Sequence, residues 1–539
     1  MGAALALAVA WHFLALRIHG GDLLGGDEGS WISVGSEIAH GQGFTTRWLE
    51  AHFLLPYTIP RPDDFRYPVL TSLLALSFKV FGFSIETARW TVAWVFFAFA
   101  ASTWLVSRQA FGRWAAMAGL WIMASSLLQL EWNAAVYTEG LFGLIVTGLA
   151  AWSIRGERSM QGGGAPAFLS MRTLGWWAIL GAGVGILYMV RVNGILFLSG
   201  VAWLYWSKRK SSISWKHPAA ALAAFTLVAA PWLIRTWMHF GSPFHIAGSA
   251  GLLREPGQTH TLNIAQYLAN HDVLFPLRRI VVGTFEFFQY LHHYDHGLEA
   301  APLILAACAL ILRRRFPSPF LTAAFLLTFA ASAYASYHSW AGVRYMSGLI
   351  PFVYAYGLSL VPSLFPSRET FAGLAKSAAW SKFSGMLPFV AGVLAILLLL
   401  LPVLHPHRFY ERKFSQRIAV NGPYPYRQDL AEHLSRLASR LPPGGRYYAA
   451  SLCNVNFLLP ERGCVGLQEL YDPTWFSRSL TAFRPSLIAL THAETRSAPM
   501  LAALERMRSE GYAPDTLEHG AMAVYLSLRL DSARARLLP

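Results

Sequence analysis

Long apolar runs separated by short polar segments make up the first three quarters of the chain. A helix needs roughly 20 residues to cross about 30 Å of hydrocarbon. Eleven runs approach that length, and each predicts a membrane helix: 2–18, 89–106, 114–131, 139–154, 174–190, 193–207, 218–238, 299–312, 318–336, 346–363 and 386–404. The pattern predicts an α-helical polytopic membrane protein.

One further apolar stretch, 67–82, is assigned from the positive charges. Cytoplasmic loops of membrane proteins carry an excess of Lys and Arg. The basic clusters fall on one side of the membrane only if 67–82 does not cross it; they are Arg108 with Arg113, 155–172, 208–216, 313–315 and 368–382. We therefore expect 67–82 to be a juxtamembrane helix lying partly in the interface.

This topology places the N-terminus in the cytoplasm and the C-terminus outside it. The long loops 19–88 and 239–298 and the short loops 132–138 and 337–345 are then extracytoplasmic. We expect an integral protein of the inner (cell) membrane.

The pattern changes near His405, where polar and turn-rich sequence begins and Pro442 to Gly445 forms an evident break. Helical spacing alternates with strand-like runs at 428–441, 446–452, 486–491, 498–511 and 523–528. We expect a transmembrane domain over 1–404 and a small extracytoplasmic α/β domain over 405–539.

Composition agrees with a membrane protein. Of 539 residues 54% are hydrophobic and 14% charged, whereas soluble proteins carry about 25% charged residues. The net charge of +15 comes from basic clusters between apolar runs, which disfavours nucleic acid as a partner. Three cysteines are too few for a disulfide scaffold, although Cys453 and Cys464 could pair in an oxidising compartment.

Three acidic residues near the predicted outer face could carry chemistry. Asp27 and Glu28 follow the first apolar run, and Glu139 lies where the third predicted span gives way to the fourth. Loop acids are often only solvated, and a glutamate at membrane depth is often paired with arginine. The alternatives are a general base for an attacking hydroxyl or ligands of a divalent metal.

Cations on the same predicted side could bind an anionic phosphate. The planar guanidinium group can donate two hydrogen bonds to phosphate, although a single arginine also serves as an interfacial anchor. Arg344 stands out because its short loop lies directly over the membrane. The candidates are Arg66, Arg191, Arg235, Arg278, Arg279 and Arg344, with His292, His293 and His338 nearby.

Taken in order, these motifs resemble the GT-C glycosyltransferases, in particular the group of protein O-mannosyltransferases and lipid A aminoarabinose transferases. The resemblance covers about residues 5–360. Two positions depart from the family pattern, since Pro68-Val69 replaces a Pro-Pro pair and Trp31 stands one place from an expected Tyr. The matching motifs are Asp27-Glu28, Ser36 to Ala39, Gly41 to Phe44, Arg66 to Leu70, Phe78 to Gly82, Ala88-Arg89, Glu139, Pro231-Trp232 with Arg235, Phe240 to Pro243, and Arg344-Tyr345 before Pro351.

The resemblance implies inverting transfer of one sugar from a polyprenyl-phosphate carrier to an acceptor outside the cytoplasm. It implies Asp27 as the base and Glu28 and Glu139 as residues that orient acceptor or sugar. The implied phosphate-binding residues are Arg344, Arg235, Arg191, Arg66, Tyr345 and His338. The acceptor is a glycan, a lipid or a protein, no cofactor is implied with certainty, and a divalent metal is possible.

Two other functions fit a polytopic chain. A transporter or flippase of lipid-linked saccharides would usually show repeated halves, and this sequence has no evident internal symmetry. A polymerase or ligase of lipid-linked glycans would use the same carrier with a different set of polar loop residues. A nucleotide-driven pump and a zinc protease are disfavoured, because the chain has neither a P-loop nor an HExxH motif.

Overall fold

The structure is a computed structural model that describes part of the chain. It covers residues 26–49, 58–126, 135–161, 168–209, 213–244, 269–295, 300–313, 318–337 and 341–359, the C-terminal stretches 447–450, 463–466, 486–491, 498–509, 512–519 and 523–530, and positions 10, 129, 132, 133, 483 and 496. Apart from position 10, the predicted span 2–18 lies outside these residues, as do the predicted span 386–404 and the predicted helix 428–441.

Helices make up most of the N-terminal part. They are α1 Gly26–Ala39, α2 Pro68–Phe81, α3 Ile85–Phe111, α4 Arg113–Ser125, α5 Glu139–Gln161, α6 Phe168–Val190, α7 Leu198–Lys208, α8 Lys216–Phe240, α9 Phe275–Asp295, α10 Ala300–Arg313, α11 Pro319–Ser336, α12 Ala341–Met346 and α13 Ile350–Leu358.

Four of the described helices are long and apolar enough to cross a membrane: α3, residues Thr173–Val190 of α6, α8 and α11. Helix α2 has 14 residues, a length of about 21 Å, which is shorter than the hydrocarbon core. Its placement in the membrane interface stays a prediction. The total of eleven spans stays a prediction.

The run 193–207 differs from the single helix that its apolar character predicts. Residues Val192–Phe197 form a 3₁₀ helix, and α7 follows with 11 residues. Arg191 has extended backbone angles, φ −155° and ψ 145°. Helix α6 therefore ends before Arg191, and the 3₁₀ helix begins after it. Asn193 and Gly194 are weak helix formers, which favours a break at this point. A prediction from hydropathy does not include helix propensity and therefore missed the break.

Close helix packing builds the core beneath the outer loops. At Gly181 of α6, an added Cβ would lie 1.9 Å from the backbone oxygen of Ala221 in α8, so only glycine permits this approach. Large apolar side chains elsewhere are exposed, including Trp94, Trp114 and Leu227. Lipid is the solvent that such a surface requires.

Strands occur between α1 and α2 and near the C-terminus. Short strands β1 Thr45–Thr46 and β3 Arg61–Pro62 pair antiparallel. The other strands form one six-stranded sheet in the order β2-β5-β4-β6-β8-β7. These strands are β2 Trp48–Leu49, β4 Tyr447–Ala450, β5 Gly463–Gly466, β6 Leu487–Thr491, β7 Tyr512–His519 and β8 Ala523–Leu530, with α14 at Ala498–Ser509.

The sheet contains the three predicted strand-like runs, and α14 matches the predicted C-terminal helix. It also contains β5 and β7, which sequence reading missed, and β2, which comes from the segment between α1 and α2. The separate α/β domain over 405–539 stays a prediction. Cys464 is disulfide-bonded, Cys308 is free, and the expected partner Cys453 lies outside the described residues.

Candidate active site

Helix α1 begins with the two acidic residues singled out in the sequence. Asp27 and Glu28 lie in its first turn, where the helix dipole favours negative charge. Consecutive helical residues point about 100° apart, so the two carboxylates enter different surroundings. The Asp27 side chain is 37% exposed, whereas that of Glu28 is fully buried.

Asp27 is held between two arginines. Its Oδ1 accepts a hydrogen bond from Arg66 Nη2 at 3.1 Å, and its Oδ2 accepts one from Arg344 Nη1 at 2.7 Å. Desolvation alone would raise the pKa of Asp27, but the two guanidinium groups outweigh it and hold that pKa well below its usual range. Asp27 is therefore ionised in this state.

Glu139 is the second carboxylate of the same cluster. Its Oε1 accepts a hydrogen bond from Arg191 Nη1 at 2.6 Å and another from Arg344 Nε. Arg344 thus bridges Asp27 and Glu139, which are 112 positions apart in the sequence. We call Asp27, Glu139, Arg66, Arg191 and Arg344 the ion-pair centre.

Aromatic rings fix the bridging arginine. The Arg344 guanidinium lies 4.9 Å from the ring centroid of Trp132 and 4.3 Å from that of Tyr137, distances at which a cation is attracted to a π face. Desolvation would lower the pKa of Arg344, but Glu139 and Asp27 outweigh this effect and raise it. Arg344 is a fixed positive charge in the centre.

A tight turn before α2 aims Arg66 at Asp27. Asp63 Oδ1 accepts the backbone N–H groups of Phe65 and Arg66 at 3.1 and 2.6 Å, a local side-chain turn that aspartate favours. Burial, with the neighbouring Asp64, raises the pKa of Asp63. Asp64 itself forms a buried 3.0 Å ion pair with Arg61.

Glu28 faces away from the ion-pair centre and into the protein. Its Oε1 accepts hydrogen bonds from Arg89 Nε at 3.1 Å and from the backbone N–H of Val136 at 3.2 Å. The side chains of Glu28 and Arg89 are 0% and 1% exposed. Glu28 therefore ties α1 to α3 and to the loop that carries Tyr137, and the described residues enclose it completely.

The other predicted phosphate-binding residues are more peripheral. The Tyr345 ring lies 5.0 Å from the Arg191 guanidinium carbon. Arg235 Nη2 donates to the backbone oxygen of Phe44 at 2.7 Å, and its guanidinium packs on the rings of Phe44 and Trp232. Arg235 is therefore held by Phe44 and Trp232, and His338 lies outside the described residues.

The remaining cations have other contacts. Arg278 pairs with Asp272 at an exposed position. Arg279 Nε donates to the backbone oxygen of Tyr334 at 3.0 Å. The side chains of His292 and His293 lie outside the description.

Comparison with known proteins gives structural matches. Over 97% of both chains it resembles ArnT from Cupriavidus metallidurans bound to undecaprenyl phosphate, with a TM-score of 0.55 and 14% identity. It also resembles the archaeal oligosaccharyltransferase AglB from Archaeoglobus fulgidus, in complex with an inhibitory peptide and a dolichol-phosphate, over 99% of this chain and 75% of that one, with a TM-score of 0.56 and 12% identity. No family model and no curated protein matches by sequence.

ArnT, a lipid A aminoarabinose transferase, and AglB both have the GT-C fold. The chain has the GT-C fold. This confirms the resemblance that the sequence motifs predict and identifies an integral membrane protein. At 12–14% identity the match establishes the fold alone.

Sequence reading missed three parts of this GT-C site: the Arg89 partner of Glu28, the Trp132 and Tyr137 rings around Arg344, and the Asp63 turn behind Arg66. A signal for the first was present. Arg89 begins a predicted apolar span, and a charge there is costly unless it is paired.

The fit of a divalent metal can be judged from the acidic residues. Among the described residues, no three His, Cys, Asp or Glu side chains are grouped as metal ligands. The guanidinium of Arg344 occupies the position between Asp27 and Glu139, so the two carboxylates already share a cation. The donor set present does not fit a metal that bridges Asp27 and Glu139.

Proposed function

We propose that this chain is a membrane glycosyltransferase. It transfers one sugar, with inversion, from a polyprenyl-phosphate donor to an acceptor on the extracytoplasmic side of the inner membrane, with its N-terminus in the cytoplasm. The observation that carries the proposal is that Arg344 bridges Asp27 and Glu139, with Arg66 and Arg191 beside them. A base and several fixed cations thus share one small volume.

The charge of the centre suits this donor. Three arginines face two carboxylates, so one positive charge is in excess. A polyprenyl-phosphate sugar is a phosphodiester with one negative charge, and the departing polyprenyl phosphate gains a second. Fixed cations that face developing charge in a partly dry site lower the barrier most strongly.

The proposed step has a simple atomic balance. The acceptor oxygen or nitrogen attacks the anomeric carbon while the bond from that carbon to the phosphate oxygen breaks. The acceptor proton passes to Asp27, and the electron pair of the broken bond stays on the phosphate. Arg344, Arg191 and Arg66 bind that phosphate. Tyr345 packs against Arg191, and Arg235 lies against Phe44 and Trp232.

The arginine pairs also give Asp27 two states. While Arg66 and Arg344 both bind it, Asp27 is ionised but weakly basic. A donor phosphate competes for the same guanidinium groups, and each hydrogen bond that Asp27 loses raises its pKa. Donor binding would in this way make the base stronger at the moment it is needed. Glu139 keeps Arg344 and Arg191 in place throughout.

The test is release of free polyprenyl phosphate from a panel of polyprenyl-phosphate sugars by purified protein in lipid nanodiscs. We expect release by the native chain and a loss of about 10²- to 10⁴-fold in Asp27→Asn, the range for removal of a general base. The matched control is Asp272→Asn, which removes an exposed carboxylate that is also paired with arginine and should release at the native rate.

The panel includes oligosaccharide and pyrophosphate-linked donors, because one structural neighbour is an oligosaccharyltransferase. Release from an oligosaccharide donor alone would replace single-sugar transfer by transfer of a glycan. No release from any donor, with membrane extract supplying acceptors, would refute the transferase and favour transport.

A further inference from the structure

The six-stranded sheet near the C-terminus includes a strand from the first outer loop. Strand β2 pairs parallel with β5, with Trp48 opposite Cys464 and Leu49 opposite Val465. The Cys464 backbone N–H donates to the Arg47 oxygen at 2.9 Å. A strand contributed by a distant segment fixes that segment through main-chain hydrogen bonds.

Side-chain packing makes the same connection. Trp48 is 1% exposed, and Cys464 and Val465 are fully buried. All three belong to one contiguous core that also contains Trp31 and Ile32 of α1. The C-terminal strands and the helix that carries Asp27 therefore share a core.

Arg47 joins this strand to α1. Its Nε donates to Glu37 Oε1 at 3.0 Å, and the two side chains are 26% and 11% exposed. Glu37 lies near the C-terminal end of the same helix that begins with Asp27. Arg47 and Asp27 are thus connected through a single helix.

We call residues 44–49, which include Arg47 and β2, the linking segment. This segment also contacts the turn that carries Arg66. Phe44 oxygen accepts the Asp63 N–H at 3.1 Å, and β1 pairs with β3 just before the Asp63 turn that aims Arg66. The segment 44–49 thus contacts both the helix of Asp27 and the turn of its partner Arg66.

We propose that Arg47 is a positioning residue. Through it the C-terminal sheet keeps Asp27 and Arg66 in the positions that the transfer reaction requires. Arg47 touches neither substrate nor reacting atoms. Its role in transfer rests on the proposed function, whereas its role in fixing α1 does not. A displacement of about 1 Å in a catalytic group can cost about 10²-fold in rate.

The first experiment measures amide hydrogen exchange of peptides from Gly26–Ala39 in the full chain in nanodiscs, because exchange reports local opening without any substrate. We expect Arg47→Met to accelerate exchange in Gly26–Ala39, and Arg47→Lys to restore part of the protection. The matched control is Arg508→Met, which breaks an exposed 2.9 Å pair with Glu505 and should leave Gly26–Ala39 unchanged.

A second variant tests the sheet and avoids the ion pair. Val465→Ala trims the buried residue opposite Leu49 and should also accelerate exchange in Gly26–Ala39, whereas Leu501→Ala, at a half-exposed position of α14, should not. Equal exchange in Val465→Ala and Leu501→Ala would show that the sheet does not fix α1 and would overturn the proposal.

The same variants are assayed for polyprenyl phosphate release. We expect Arg47→Met to lower kcat by about 10- to 100-fold with a smaller change in the donor KM, because Arg191 and Arg344 keep their pairs with Glu139. Faster exchange in Gly26–Ala39 with a native chain that releases nothing would reject the proposed function and leave the link to α1 standing. Faster exchange with unchanged kcat would show that Arg47 fixes α1 without positioning Asp27 for transfer.

Discussion

At the scale of single residues, Asp27 owes its properties to Arg66 and Arg344. Its pKa is lowered below the unfolded value of about 3.9 because both guanidinium groups bind it. The sign follows from linkage: the ion pairs stabilise the folded chain above about pH 4, and this stabilisation is lost as the pH falls through the lowered pKa.

The pH dependence of transfer tests this arrangement. Removing one guanidinium in Arg66→Met should raise the pKa of Asp27, so the acid limb of kcat/KM, which reports the free enzyme, should move to higher pH. Arg278→Met, which removes an exposed pair with Asp272, is the control. An acid limb at the same pH in the native chain and in Arg66→Met would mean that Arg66 does not set the pKa of the base.

Glu28 and Arg89 form the buried pair of the site, and breaking one side of it should be costly. Glu28→Gln leaves the Arg89 charge buried without a partner carboxylate, which typically destabilises by about 3–5 kcal/mol. The measurement is thermal unfolding of Glu28→Gln, Arg89→Gln and the double variant. The double variant should be more stable than the two single losses predict, and simple additivity would argue against coupling between the two residues.

At the scale of elements, the site depends on helices that approach one another closely. Gly181 lets α6 lie against Ala221 of α8. Helix α6 ends just before Arg191, and α8 carries Arg235 near its end. The distance between α6 and α8 therefore affects the positions of Arg191 and Arg235.

A side chain at Gly181 should force the pair apart. We expect Gly181→Val to be destabilised by about 1–3 kcal/mol or more, the range for overpacking, and to show a lower unfolding temperature. The control is Gly148→Val, because a Cβ at Gly148 of α5 meets nothing within 4 Å. Similar unfolding temperatures for the two variants would show that α6 and α8 tolerate separation.

At the scale of the whole molecule, the described residues combine an exposed apolar surface with buried polar groups. The described helical part exposes large apolar side chains such as Trp114, at 82%, and Leu227, at 76%, and lipid covers such surfaces at low cost. The segment between α1 and α2, in contrast, buries polar residues in ion pairs and turns. Helix α1 carries acids of both kinds, with Glu28 inside the protein and Asp27 partly exposed.

The sequence by itself determined the class of molecule and much of its outline. Apolar runs of sufficient length predict membrane helices because hydrocarbon leaves the backbone few alternatives, and four of the described helices have the required length and composition. Motif order predicted the GT-C fold, and residue type identified Asp27, Glu139 and Arg344 as candidates. These inferences use local chemistry, which a sequence records directly.

Only the tertiary structure decided which candidates meet. Arg344 contacts Asp27 across 317 positions, and Glu28 contacts Arg89 across 61. Strand β2 joins β5 from more than 400 positions away. Contacts of this kind depend on how the helices pack and how the strands register, and no local pattern in the sequence encodes them. The physical reason is that hydropathy specifies which surface is buried, while the partner of each buried charge is set by the three-dimensional arrangement around it.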